Sequence, residues 1–133
     1  KAASVVSVHP AVRAALLNFQ RNFARSPPNG AAGAVVEGRD IGTVVCPDAA
    51  VKLFIDADLE VRAKRRLAEL LAQDPSQTLD AVRAEMAARD ERDRNRADSP
   101  LEAAPDAHLL DTTDLDIDGA FDAAMKVIGG AEK

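Results

Sequence analysis

The sequence holds one cysteine, two histidines and neither tryptophan nor tyrosine, and each scarcity removes a class of function. A lone thiol, Cys46, builds no internal disulfide framework. With His9 and His108 as its imidazoles, the chain has too few soft ligands for a zinc site. It lacks most of the aromatic platform on which single-stranded nucleic acid stacks. A formal net charge of −5 also opposes general binding to a phosphate backbone. No apolar run approaches the roughly 20 residues of a membrane span. Neither a nucleic acid nor a membrane is expected as a partner, and a reducing, cytoplasmic setting is the default. What is present is 133 residues, 47% hydrophobic and 29% charged, the composition of one globular domain long enough to bury a core.

Helices are expected to alternate with short apolar strands. From Pro10 to about Arg25, Val12, Leu16, Leu17 and Phe19 recur near helical spacing, with proline suited to the first turn. Ser26 to Gly30 stops that helix. Ala34–Glu37 leans towards β structure and leads into Gly38-Arg39-Asp40, and Val51–Asp56 is a second strand candidate. A helix is expected from Asp58 to about Ala72, with Leu59, Ala63, Leu67 and Leu70 on one face. After a break at Gln73–Ser76, Thr78 is placed to cap a helix from Leu79 to about Arg94, with Val82 and Met86 inward. His108–Thr112 reads as a third strand, and Asp118–Ile128 as a closing helix ended by Gly129-Gly130. The alternation favours an α/β fold with parallel strands.

Two arginine clusters carry most of the chemical signal. At 100° per residue, Arg89, Asp93 and Arg96 fall within about 60° of arc and share a helix face if the helix persists. They fit either a solvated face laced with ion pairs or a polar wall for an anionic ligand, because the guanidinium fork donates two parallel bonds to phosphate. Arg62, Arg65 and Arg66 stand at i, i+3 and i+4, with Glu69 four residues after Arg65, so surface pairing and an anion site again compete. Arginines on both sides of the 74–76 break also suit a lid that closes over phosphates and excludes water. Gly38-Arg39-Asp40 follows a strand, where open α/β sheets bind ligands, but a turn with a local Arg–Asp pair explains a lone tripeptide better. Cys46 has no cationic neighbour in sequence and reads as a structural thiol, as do the two histidines. Asp111 and Asp114 more simply turn the chain than bind a metal. No Gly-x-x-x-x-Gly-Lys-Ser/Thr loop occurs, so nothing in these residues cradles ATP phosphates in the usual way.

Residues 2–7, 10–17, 38–49, 51–57, 89–96 and 109–113 together resemble the bacterial cytidylate kinase family, from its middle to its C-terminus. The long Gly38–Ala49 block followed by the Arg/Asp run is the most specific part. The resemblance implies a P-loop kinase-like α/β fold, a parallel sheet with flanking helices. It is incomplete here, because the family's first strand and phosphate loop have no counterpart. Residues 1–133 are then the C-terminal portion of a single domain. Residues 1–33 end the CMP-binding region and its helix, and residues 34–133 form the core, with a lid near 66–80. The family transfers the γ-phosphoryl of ATP to CMP or dCMP with Mg2+. It implies that Ser4, Arg13 and Asp40 contact cytosine and that Asp93 accepts from the sugar hydroxyls. Arg39, Arg89 and Arg96 would complete the monophosphate pocket, and Arg62, Arg65 and Arg66 would belong to the ATP-side lid. No protein metal ligand is assigned.

The resemblance further implies that a missing N-terminal segment of the same protein carries the phosphate loop. The 133 residues alone would then be inactive, with two sheet edges unpaired and an apolar gap between them. Three other readings compete. One is a non-catalytic nucleotide-binding module. The second is a helical interaction protein whose arginines are merely solvated. The third is a P-loop kinase with another monophosphate acceptor.

Overall fold

Proline gives up no hydrogen bond at the first position of a helix, and helix α1 (Pro10–Arg25) starts on Pro10 with His9 as its cap residue. The computed structural model describes residues 9–95 and 100–131, apart from the side chains of residues 10, 13 and 131. Arg25 lies in the last turn of α1, where its charge complements the helix dipole. The chain then turns through Pro28–Gly30, where Asn29 and Gly30 both take the left-handed conformation, at φ of 59° and 67°. This is the break that the Pro-Pro-Asn-Gly run predicts.

A strand expected at Ala34–Glu37 does not form. Val35 is 95% exposed, and β-branched residues gain from a sheet only when a neighbouring strand completes the ladder and packs their side chains. The chain passes instead into a single π-helical turn, Ile41–Val45.

The expected strand at 51–56 is shortened to β1 (Leu53–Asp56), and the one at 108–112 to β2 (His108–Asp111). They pair in parallel, Leu53 opposite His108 and Asp56 opposite Asp111, as the α/β reading requires. Between them run α2 (Leu59–Leu71) and α3 (Leu79–Arg94), packed on each other. Ala63 of α2 is wholly buried and Val82 of α3 is 3% exposed, so small side chains let the two axes approach. Both helices have the caps their sequences advertise: Asp58 accepts from Glu60 N, and Thr78 accepts from Ala81 N. Asp74 organises the turn between them, accepting from Ser76 N, Ser76 Oγ and Gln77 Nε2 at 3.0, 2.6 and 2.6 Å. Those bonds hold its carboxyl below the ordinary range.

The closing helix α4 (Ile117–Ala131) continues through Gly129-Gly130 rather than stopping at them. Neither glycine takes the positive φ that ends a helix at a left-handed cap. Its residues Ile117, Phe121 and Met125 lie at i, i+4 and i+8 and are 88%, 63% and 46% exposed.

The core expected from chain length is slight. Among the described residues the buried apolar side chains are Val45, Ala57, Ala63, Val82 and Ala104, all small. Ile55 and Leu109, on opposite faces of the two-stranded sheet, stay 59% and 74% exposed, because none of the described residues forms a layer over them there.

One buried charge steadies the strand pair. Lys52, 9% exposed, sends Nζ to Asp106 Oδ2 at 2.6 Å, joining the start of β1 to the loop before β2. The ammonium holds the Asp106 carboxyl below its ordinary range. An acid with a depressed folded pKa adds stability in full above the unfolded value, about 4 for aspartate, and loses it as pH falls through the folded value. Asp106→Asn should therefore flatten the acid limb of stability. The expected result is a smaller fall in the urea midpoint between about pH 5 and pH 3 than in the unsubstituted protein. Parallel acid limbs for the two would remove Asp106 from the account.

Candidate functional site

Helix α3 ends with two carboxylates three residues apart, and each holds an arginine from another element. Asp93 accepts from Arg39 Nε in a short ion pair, and Arg89 Nε of the same helix lies 3.9 Å from the same oxygen. Asp90 accepts from Arg62 Nη2 at 2.8 Å, bringing α2 against α3. The Asp93 and Asp90 side chains are 14% and 18% exposed, so these are not screened surface pairs. The shared face expected of Arg89 and Asp93 is present and recruits Arg39 as well. Arg96 lies outside the described residues. So does Ser4, and of Arg13 only its place on α1 is described.

Arg39 reaches α3 from a tight bend. A Cβ on Gly38 would stand 2.9 Å from the Ile41 side chain, and one on Gly42 would meet Lys52 Cδ at 3.3 Å. Asp40 caps the π-helical turn, and its carbonyl accepts from Val44 N at 2.8 Å and Val45 N at 3.1 Å. Its half-buried carboxylate meets no donor among the described residues. A π-helical turn of this kind is rare and concentrates at functional positions. The turn is held from α1: Arg21 Nη2 donates to Val44 O at 2.8 Å and Nε to Val45 O at 3.2 Å. Arg21 is absent from the sequence reading, because a partner made of backbone carbonyls leaves no side-chain pattern to read. Asp90 escaped notice for a related reason, its partner being 28 residues away in sequence.

The cluster Arg62, Arg65 and Arg66 divides into three environments. Arg62 donates from Nε to Ala57 O at 2.8 Å and pairs with Asp90, with Asp56 Oδ1 at 3.8 Å. The hydrogen bond to Asp90 raises its pKa despite partial burial, and the nearby charges of Asp90, Asp56 and Asp58 add to that. Arg65 does not pair with Glu69. It donates to Thr112 Oγ1, Thr112 O and Leu115 O at 3.2, 2.6 and 2.8 Å, tying α2 to the chain beyond β2. Glu69 takes Arg66 instead, at 2.7 Å on the surface.

Two cavities accompany these elements. One of about 300 Å³ lies between α1 and the π-helical turn, lined by Arg21, Arg25, Val36, Ile41, Val45 and Cys46 among others. The second, about 460 Å³, opens at the carboxyl ends of β1 and β2, beside Asp56, Asp58 and Asp111. That is where parallel α/β sheets bind ligands. Asp111 there accepts from Thr113 N at 2.8 Å and Thr113 Oγ1 at 2.6 Å, which lowers its pKa. It turns the chain, as its position after a strand suggests. Among the described residues no group of three or more histidine, cysteine or acidic side chains gathers as a metal cage, and no helix is long and apolar enough to cross a membrane.

Among the described residues the arrangement offers two arginines beside one recessed carboxylate, next to a turn whose own carboxylate meets no donor. Comparison with known proteins gives these residues a context. The family model for cytidylate kinase matches residues 1–129. A cytidylate kinase of Paramagnetospirillum magneticum is 58% identical over 129 residues, which is 97% of this chain and 61% of that protein. Those of Brucella ovis and Afipia carboxidovorans are 54% and 55% identical over 131 and 127 residues, covering 58% and 59% of their own lengths. The chain thus spans about three fifths of the length of these curated relatives.

Proposed function

The chain belongs to the cytidylate kinase family, and from that premise we propose that it serves the transfer of the γ-phosphoryl group of ATP to CMP or dCMP, giving CDP or dCDP in the cytoplasm. The observation that carries this reading is the convergence of Arg39 and Arg89 on Asp93, beside the turn that bears Asp40. Two guanidinium groups against one carboxylate leave a net positive face, suited to a nucleoside monophosphate whose phosphate takes charge-assisted bonds. Asp93 keeps both forks oriented and can accept from a sugar hydroxyl. Ser4, Arg13 and Arg96 join the acceptor site by resemblance, and the same resemblance puts Arg62, Arg65 and Arg66 on the donor side, Arg65 there as a clamp on Thr112 and Leu115.

Asp40 supplies the choice of base. Its oxygens, which meet no donor among the described residues, match the C4 amino group of cytosine, whereas uracil presents a second acceptor at that position and repels the carboxylate. The donor side is different in kind. The 133 residues contain no Gly-x-x-x-x-Gly-Lys-Ser/Thr loop, so the triphosphate needs a cradle from outside them. Magnesium accompanies ATP and is held largely by phosphate oxygens and water, with one or two carboxylates at most. Among the described residues the acids form no ready cage for it: Asp56 stands 3.8 Å from Arg62 Nε, and its Oδ1 also accepts from Ala57 N at 2.8 Å.

Calorimetry on the intact gene product distinguishes this function from a helical interaction protein and from a kinase with another acceptor, and formation of CDP from CMP and ATP distinguishes it from a non-catalytic binding module. CMP should bind about a hundredfold more tightly than UMP, the upper end of what one charge-assisted hydrogen bond contributes. Binding of neither nucleotide would mark a scaffold, and equal binding of both would mark a kinase with another acceptor.

A further inference from the structure

We infer that Arg21 is a positioning residue for recognition of the base, setting the turn from which Asp40 presents its carboxylate. This role rests on the phosphoryl-transfer function proposed above and adds to it a residue that the nucleotide never touches.

The peptide joining Val44 to Val45 is gripped at both ends. Its carbonyl accepts from Arg21 Nη2 at 2.8 Å, and its N–H donates to the carbonyl of Asp40 at 3.1 Å. The next carbonyl, that of Val45, accepts from Arg21 Nε at 3.2 Å. A one-turn helix leaves its last carbonyls without partners of its own. The guanidinium satisfies two of them with charge-assisted bonds that polarise the N–H bonds running back to Asp40. Val45 is 3% exposed, so this end of the turn has little water to fall back on.

The same contact fixes α1, which packs on the turn. Helix α1 carries Arg13, assigned by resemblance to the cytosine. Arg21 therefore joins the helix that bears Arg13 to the turn that follows Asp40, and it does so through two donors held in one plane. A lysine offers a charge at that place but no fixed fork, so it replaces the function only in part.

The test uses the intact gene product with Arg21→Ala and Arg21→Lys. Arg21→Ala should raise KM for CMP about tenfold and erode the preference for CMP over UMP, while kcat and KM for ATP move less than about threefold. Arg21→Lys should recover part of the loss. An unchanged KM for CMP, or equal rises for CMP and ATP, would overturn the role. Amide hydrogen exchange supplies a readout independent of activity. Val44, Val45 and Cys46 should exchange at least about tenfold faster in Arg21→Ala, with α2 and α3 unaffected. Should the unsubstituted protein fail to prefer CMP, the function proposed above is lost while exchange still judges Arg21, and unchanged protection of the turn would count against it.

Discussion

Replacing Asp40 by alanine is expected to lower kcat/KM for CMP about a hundredfold in the intact gene product, while turnover of UMP changes less than about threefold. The asymmetry follows from what the carboxylate does in each complex. Half-buried and without a donor among the described residues, it gains a charge-assisted bond from the cytosine amino group. Such bonds contribute about 1.5–3 kcal/mol. Against uracil it gains nothing and faces another acceptor, so its removal relieves a repulsion. Asp40→Asn keeps one acceptor oxygen and should fall between the two. Since the Asp40 carbonyl, not its side chain, accepts the bonds that close the π-helical turn, either substitution leaves those bonds in place. Steady-state kinetics with both nucleotides decide the matter, and equal losses for CMP and UMP would remove Asp40 from base selection.

The helices were legible because their signals are local. Proline at the start of α1, Asp58 and Thr78 as caps, and apolar residues at helical spacing act within a few positions of each other, and the structure honours each of them. Strands depend on what lies beside them. Ala34–Glu37 has suitable residues but no neighbouring strand among the described residues, and it remains irregular. The Gly-Gly stop failed for a related reason: a left-handed cap is a conformation that glycine permits, not one it imposes. The site was legible in part. Spacing on one helix brings Arg89 to Asp93, but Arg39 comes to that carboxylate from 54 residues away; its place after a strand marks it in the sequence, and only the resemblance groups it with Arg89. Arginines bonded to backbone carbonyls are the hardest to foresee, because every residue carries a carbonyl and none stands out in sequence. Arg21 and Arg65 are both of this kind.

Arg65 shows how much such a residue should matter. It lies one position from Arg66 on α2, and sequence gives the pair the same prospects. The structure separates them. Arg66 meets Glu69 on the surface, with its side chain 52% exposed. Arg65 clamps Thr112, which is 7% exposed, and Leu115. The Thr112 hydroxyl accepts from Arg65 and donates onward to Asp56 O at 3.1 Å, so one side chain links α2, the end of β1 and the chain after β2. Removing it strands the Thr112 carbonyl in a place water reaches poorly. Arg65→Ala should therefore lower unfolding stability by about 2 kcal/mol, the cost of leaving a buried acceptor unsatisfied. Arg66→Ala loses an exposed i,i+3 pair and should stay within about 0.5 kcal/mol. Urea denaturation of the intact gene product, with m-values compared, reads both. If Arg65→Ala kept its midpoint and raised only KM for ATP, the residue would act on the donor phosphates and not as the clamp between α2 and β2.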